Sequence, residues 1–164
     1  MDLATDERTM LLAFLAFQRQ TLRAKAGGLT AEQLRTPLAP SSLTLAGLLK
    51  HMALVEDDWF GEVLRGQPPR EPWASVDWEA DRDWEFHSAL GDPPGDLVAL
   101  FDRAVASSDE ILAAEPDLEV LAVRGRHGRQ PSLRWILLHL IEEYARHNGH
   151  ADLIRESLDG RTGT

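Results

Sequence analysis

Glu143, His147 and His150 fall on one short stretch, Leu140 to His150, that puts a carboxylate and two imidazoles on the same side of a helix. At about 100° per residue, Glu143 and His147 lie about 40° apart on the helical wheel, and His150 falls about 20° to the other side of Glu143. All three side chains can reach toward one point. Imidazole and carboxylate are the donors that zinc, nickel, iron or manganese accept, and i, i+4 spacing lets one helix present two of them together. A competing reading exists: Glu143, Arg146, His147 and Asp152 can equally form a solvated charged face laced by ion pairs one turn apart. If a metal binds, a third donor must come from another helix, because bundle metal sites are assembled from facing helices.

His51 is the candidate for that donor. It lies among Leu48, Met52, Leu54 and Val55, an apolar setting that disfavours a protonated imidazole and suits a neutral, metal-bound one. His139 shares the face of Glu143, about 40° away. Three roles are open to it: a hydrogen-bond partner of a ligand, a ligand in place of His147, or a buried histidine bonded to a backbone carbonyl. His87 and His127 fall in expected loops and are read as solvent-exposed.

Positioning these groups requires long helices, and the chain supplies four. Apolar residues recur at helical spacing from about Asp6 to Ala26, from Leu43 or Thr44 through Val63, from Pro94 to Ala114, and from Ser132 to about Leu158. Thr30 with Gln33 forms a capping box for a short extra turn. Gly149, costly in a helix interior, predicts a close approach to a neighbour. Between Pro68 and Pro94 the periodicity disappears, while Trp73, Trp78, Trp84 and Phe86 alternate with acids. A loop this long is functional or packed by its own side chains, so it is expected to fold over one end of the bundle. Its tryptophans either wall an apolar pocket or form the loop's private core. Leu118 to Val123 is a candidate extended piece. With no strand pattern or repeat, the expected fold is all-α: a single-domain four-helix bundle with a long crossover loop between helices 2 and 3.

Composition excludes several classes of function. With 164 residues and 43% hydrophobic content the chain can bury one core. Acidic residues outnumber basic ones 27 to 17, giving a net charge of −10, which argues against nucleic acid or an anionic membrane as partner. The basic stretch Arg124 to Gln130 is read as a solvated loop. Cysteine is absent, so no disulfide, thiolate nucleophile or zinc-cysteine site exists, as suits a reducing cytoplasm. The acidic N-terminus does not look like a signal peptide, and no apolar run approaches the roughly 20 residues of a membrane span.

The block Leu45 to Phe60, with His51 at its centre, and the block Leu133 to Glu156, with Trp135 and the run His147-Asn148-Gly149-His150, together resemble the DinB-like superfamily. The branch they most resemble is that of mycothiol-dependent S-transferases and maleylpyruvate isomerases. The resemblance implies a four-helix bundle in which His51, Glu143 and His147 hold one divalent metal ion, zinc or nickel. Many relatives have histidine where Glu143 stands; the carboxylate is more like the isomerase arrangement. His150 stands where many relatives have glutamine, which implies that it supports a ligand or faces the substrate.

The resemblance also implies a chemistry. An open metal position activates a low-molecular-weight thiol, which then attacks a small electrophile. The chain's lack of cysteine fits, since the sulfur would arrive with the cosubstrate. Asp58, about 20° from His51 on the same helical face, can orient a ligand or substrate, or be a surface carboxylate. Two other classes stay open: a metal-binding protein without turnover, and an interaction bundle with no metal. Apolar residues on helix 1 and in the tryptophan loop exceed what one core covers, so a homodimer is expected.

Overall fold

The computed structural model describes residues 4–126 and 128–163, so His127 lies outside the described residues. Among the described residues six α-helices form: α1 (Glu7–Ala26), α2 (Ala31–Arg35), α3 (Leu45–Glu56), α4 (Trp84–Ser88), α5 (Pro94–Ala114) and α6 (Leu133–Asp159). Their ends follow from local chemistry. Asp6, Thr30, Thr44 and Ser132 each accept a hydrogen bond from a backbone N–H three residues on, satisfying a donor that the first turn leaves free. The Thr30–Gln33 capping box is complete. Pro94 opens α5 and Gly160, at φ 74°, closes α6.

The long helices are α1, α3 with its extension, α5 and α6. α1 packs on α6 and α3 on α5, while α3 also touches α1 and α6, which closes the bundle. Leu15 and Leu22 from α1, Leu48, Leu49 and Met52 from α3, Phe101 from α5, and Leu137, Leu140 and Tyr144 from α6 meet in its core. Each such side chain contributes about 1.5–3 kcal/mol when buried. Among the described residues there is no strand, only the isolated bridges Leu121↔Ser132 and Arg126↔Arg129. The expected extended piece is therefore a bridged loop. It is moored to the bundle by the Val123 and Arg124 amides, which donate to the carbonyls of Leu64 and Val63.

Three features depart from simple helical periodicity. After Glu56 the helix widens into a π-helical segment, Asp57–Leu64, a form that concentrates at functional sites. The crossover from Pro68 to Pro93 is not structureless, since it holds a 3₁₀ turn, Trp73–Ser75, and the whole of α4. Lys50 docks it by pairing with Asp92 at 2.5 Å and lying 4.3 Å over the Trp84 ring. Finally, Gly149 meets nothing: a Cβ built there finds no atom within 4 Å, which corrects the expectation of a close approach. Gly149→Ala should therefore raise stability by up to about 1 kcal/mol in urea unfolding. A loss instead would reveal a contact at that position.

A buried ion network ties the helices together. Arg19 of α1 grips Glu56 at the end of α3 through Nε at 2.7 Å and Nη2 at 2.6 Å, and Tyr144 of α6 donates its hydroxyl to the same carboxylate at 2.7 Å. Asp109 of α5 takes the remaining arm of Arg19 at 2.7 Å. Burial opposes the charge on Arg19, but Glu56 beside it more than compensates and holds the guanidinium protonated.

Candidate metal centre

His51 reaches inward from α3, and Glu143 and His147 reach toward it from successive turns of α6. One ligand atom from each lies within 4.8 Å of the other two, so a single ion can touch all three. The His51 and His147 rings stand 4.8 Å apart at 69°. Glu143 Oε1 accepts from Arg146 at 3.0 Å, while its Oε2 faces His147 Nε2 at 3.5 Å. One carboxylate oxygen is thus held by the helix surface and the other is turned to the cluster. The side chains of His51, Glu143 and His147 are 20%, 15% and 11% exposed, so the donors are shielded yet reachable from one side.

The surroundings favour neutral imidazoles with fixed orientations. Burial, then the nearby His51 and His150, then Arg146, push the His147 pKa from 6.5 down to about 4, so it is unprotonated at neutral pH and free to donate a lone pair. His150 approaches the far side of the same ring, Nδ1 to Nδ1 at 3.4 Å, leaving Nε2 for the cluster. His51 stacks on Phe86 at 4.8 Å, and its Nδ1 lies 3.0 Å from Glu85 Oε1. Metal-binding histidines characteristically give their second nitrogen to a carboxylate in this manner.

Glu85 comes from α4, and nothing in the periodicity of the crossover pointed to it. The next residue, Phe86, lies against Gly47 of α3, where an added Cβ would sit 2.9 Å from Phe86 Cδ1. Glu85 is 5% exposed and its Oε2 is buried without a hydrogen-bond partner. A buried carboxylate with half its acceptor capacity unused calls for a positive charge nearby. A divalent cation on the far side of His51 would balance it, and two imidazoles with a carboxylate are donors such a cation accepts. The residues therefore fit a metal. If they hold one, Glu85→Ala should weaken binding about 10- to 100-fold in a competitive chelator titration. Unchanged affinity would detach Glu85 from the site.

One cavity adjoins the cluster through His51 and a second lies beside His139, with Asp58 lining both. One, of about 470 Å³, is walled by His51, Leu54, Val55, Trp73 and Trp78. Trp73, Trp78 and Trp84 pack edge to face at 6.3 Å, and Trp73 Nε1 donates to Asp57 at 2.8 Å. The crossover tryptophans thus serve both expected purposes, a private core and a pocket wall. The other cavity, of about 780 Å³, opens beside Trp59, Trp135 and His139. Asp58 pairs with Arg126, while burial raises its carboxyl pKa from the ordinary value against that pull.

His139 is not bonded to a backbone carbonyl. It stacks on Trp135 at 4.9 Å, meets the edge of Trp59 at 4.6 Å and lies 3.7 Å from Glu142. With Glu142 and Glu143 it forms a second, more exposed group of donors that shares Glu143 with the first. His87 is exposed and pairs with Asp81 at 2.9 Å, as a loop histidine should. Arg124 and Arg126 are only partly solvated, since they reach back to Glu62 and Asp58 on the π-helical segment.

Two imidazoles and a carboxylate converging between facing helices define the class: a helical-bundle protein with the donor set of a metal site. The chain belongs to the mycothiol-S-transferase family, a metal-dependent DinB-like family whose model matches residues 10–160. No curated protein matches it. Among solved structures, a conserved protein from Enterococcus faecalis is similar over 96% of this chain and 100% of its own, with a TM-score of 0.72 and 17% identity. At that identity the likeness speaks for the fold alone.

Proposed function

We propose that His51, Glu143 and His147 hold one divalent metal ion, zinc or nickel, and that the protein uses a low-molecular-weight thiol of the mycothiol class to transfer to, or isomerise, a small electrophile. The observation that carries this is the mutual approach of the three donors to within 4.8 Å. When bound, such an ion lowers the pKa of a coordinated thiol so that the reactive thiolate exists near neutral pH. The protein's own residues do the rest. Glu85 fixes the His51 tautomer, and burial keeps His147 neutral, with His150 held against its outer nitrogen. Asp58, which lines both cavities, is placed to orient what enters. Trp73 and Trp78 offer an apolar wall to an electrophile and exclude water around it.

Two measurements test the reading. Protein purified without a histidine tag and supplemented with divalent metal should retain close to one equivalent; below about 0.3 the site is refuted. Incubation with mycothiol, bacillithiol or glutathione and a chlorinated or epoxide electrophile should consume thiol above background. No consumption with any of them would leave a metal-binding protein without this turnover.

The proposal extends to a reducing cytoplasm, on the absence of cysteine, and to a homodimer. The tryptophan loop no longer argues for a dimer, since Trp73 is 2% exposed, but Phe14 and Phe17 on α1 remain 43% and 44% exposed. No helix among the described residues is long and apolar enough to cross a membrane. Light scattering at low micromolar concentration should give twice the chain mass.

A further inference from the structure

We propose that the cavity between the π-helical segment and the start of α6 binds a small planar carboxylate, its flat apolar part against Trp59, Trp135 and His139 and its carboxylate on Arg129 and Arg126. This names a substrate class for the reading above and rests on it only for the reaction that follows binding. The cavity encloses about 780 Å³, the size of a small-molecule site. Its wall is aromatic and ordered: Trp59 and Trp135 stand 5.3 Å apart, and His139 stacks on Trp135 at 17°. Trp135 is nevertheless 48% exposed, so a large planar surface lacks a cover that a flat ligand would supply.

Charge selects the other end of the ligand. The chain carries −10, yet the charged groups lining this cavity are Arg126, Arg129 and Asp58, a local excess of one positive charge. Asp58 already pairs with Arg126, whose guanidinium lies 5.5 Å over the Trp59 ring. The Arg129 side chain has no acidic partner among the described residues, and its planar fork matches a carboxylate through two parallel hydrogen bonds. Backbone donors do not compete for this role. The first amides of α6, on Leu133 and Arg134, already give their protons to the carbonyls of Val120 and Leu118. Anion recognition here therefore falls to the guanidinium groups.

Calorimetric titration with cinnamate and its neutral amide, cinnamamide, on metal-loaded protein and again with chelator present, tests the proposal. Cinnamate should bind about tenfold or more tightly than the amide, with or without metal, and Arg129→Ala should remove that preference. Trp135→Ala should weaken both ligands alike. Circular dichroism of each variant, together with retention of the metal, verifies the fold. Equal binding of acid and amide, or an acid preference that survives Arg129→Ala, overturns the site. Cinnamate binding that vanishes with chelator would place the carboxylate on the metal instead, overturning this site while leaving the proposed function standing. Loss of metal binding in wild-type protein with the cinnamate preference intact would do the reverse.

Discussion

His147→Ala is expected to reduce divalent-metal affinity by more than about 100-fold, because loss of a group that merely supports a ligand already costs 10- to 100-fold. His147 is 9% exposed and turns Nε2 toward Glu143, at 3.5 Å from its Oε2, so its loss removes a donor from the middle of the cluster. The consequence reaches stability. A metal bound to the folded form alone raises the unfolding temperature with concentration, so added zinc or nickel should stabilise the wild type and leave the variant unmoved. Mass-spectrometric metal analysis and thermal scans with and without metal check both halves. Retention of wild-type metal content would remove His147 from the site.

Arg19→Met should destabilise the protein by about 3–5 kcal/mol, since it strands Glu56 as an uncompensated charge in the core. Glu56 is 0% exposed, and its remaining partner would be the hydroxyl of Tyr144, whose phenol is held protonated by burial and then by Glu56 itself. Against a typical total of about 5–15 kcal/mol this is a large fraction. The double variant Arg19→Met, Glu56→Leu should recover much of the loss, because removing both charges also removes their desolvation cost. Urea unfolding measures the cycle. A single-variant loss below about 1 kcal/mol would mean that water reaches Glu56.

Much of the fold could be read from side chains that act locally. Asp6, Thr44 and Ser132 announce helix starts through their own hydrogen bonds, and Pro94 and Gly160 mark ends by backbone constraint, so the four long helices fall where periodicity places them. His51, Glu143 and His147 were legible as a group because helical spacing fixes two of them and the apolar neighbours of His51 turn it inward. What could not be read depends on tertiary contact. The π-helical segment after Glu56 leaves no mark in the apolar pattern, so the relation of Asp58 to His51 could be reckoned only as if the helix were regular. Glu85 was hidden because a crossover without periodicity gives no face, and its burial comes only with the docking of α4 on α3, where Phe86 lies close to Gly47. Gly149 misled for the opposite reason: glycine in a helix signals crowding only when a neighbour is present, and here the space is open. His139 sits between two tryptophans that sequence places 76 positions apart (135 − 59 = 76), a pairing only the packed bundle creates.

The docking of α4 on α3 has a further implication for how such a protein can be altered. The three donors are anchored in the bundle, but the carboxylate that steadies His51 arrives from the crossover, next to the close approach of Phe86 to Gly47. The donors and the group that steadies one of them are therefore carried by different parts of the chain. Changes confined to residues 68–93 would alter the support of His51 and, through Trp73 and Trp78, the wall of the adjoining cavity, without touching the helices that carry the three donors.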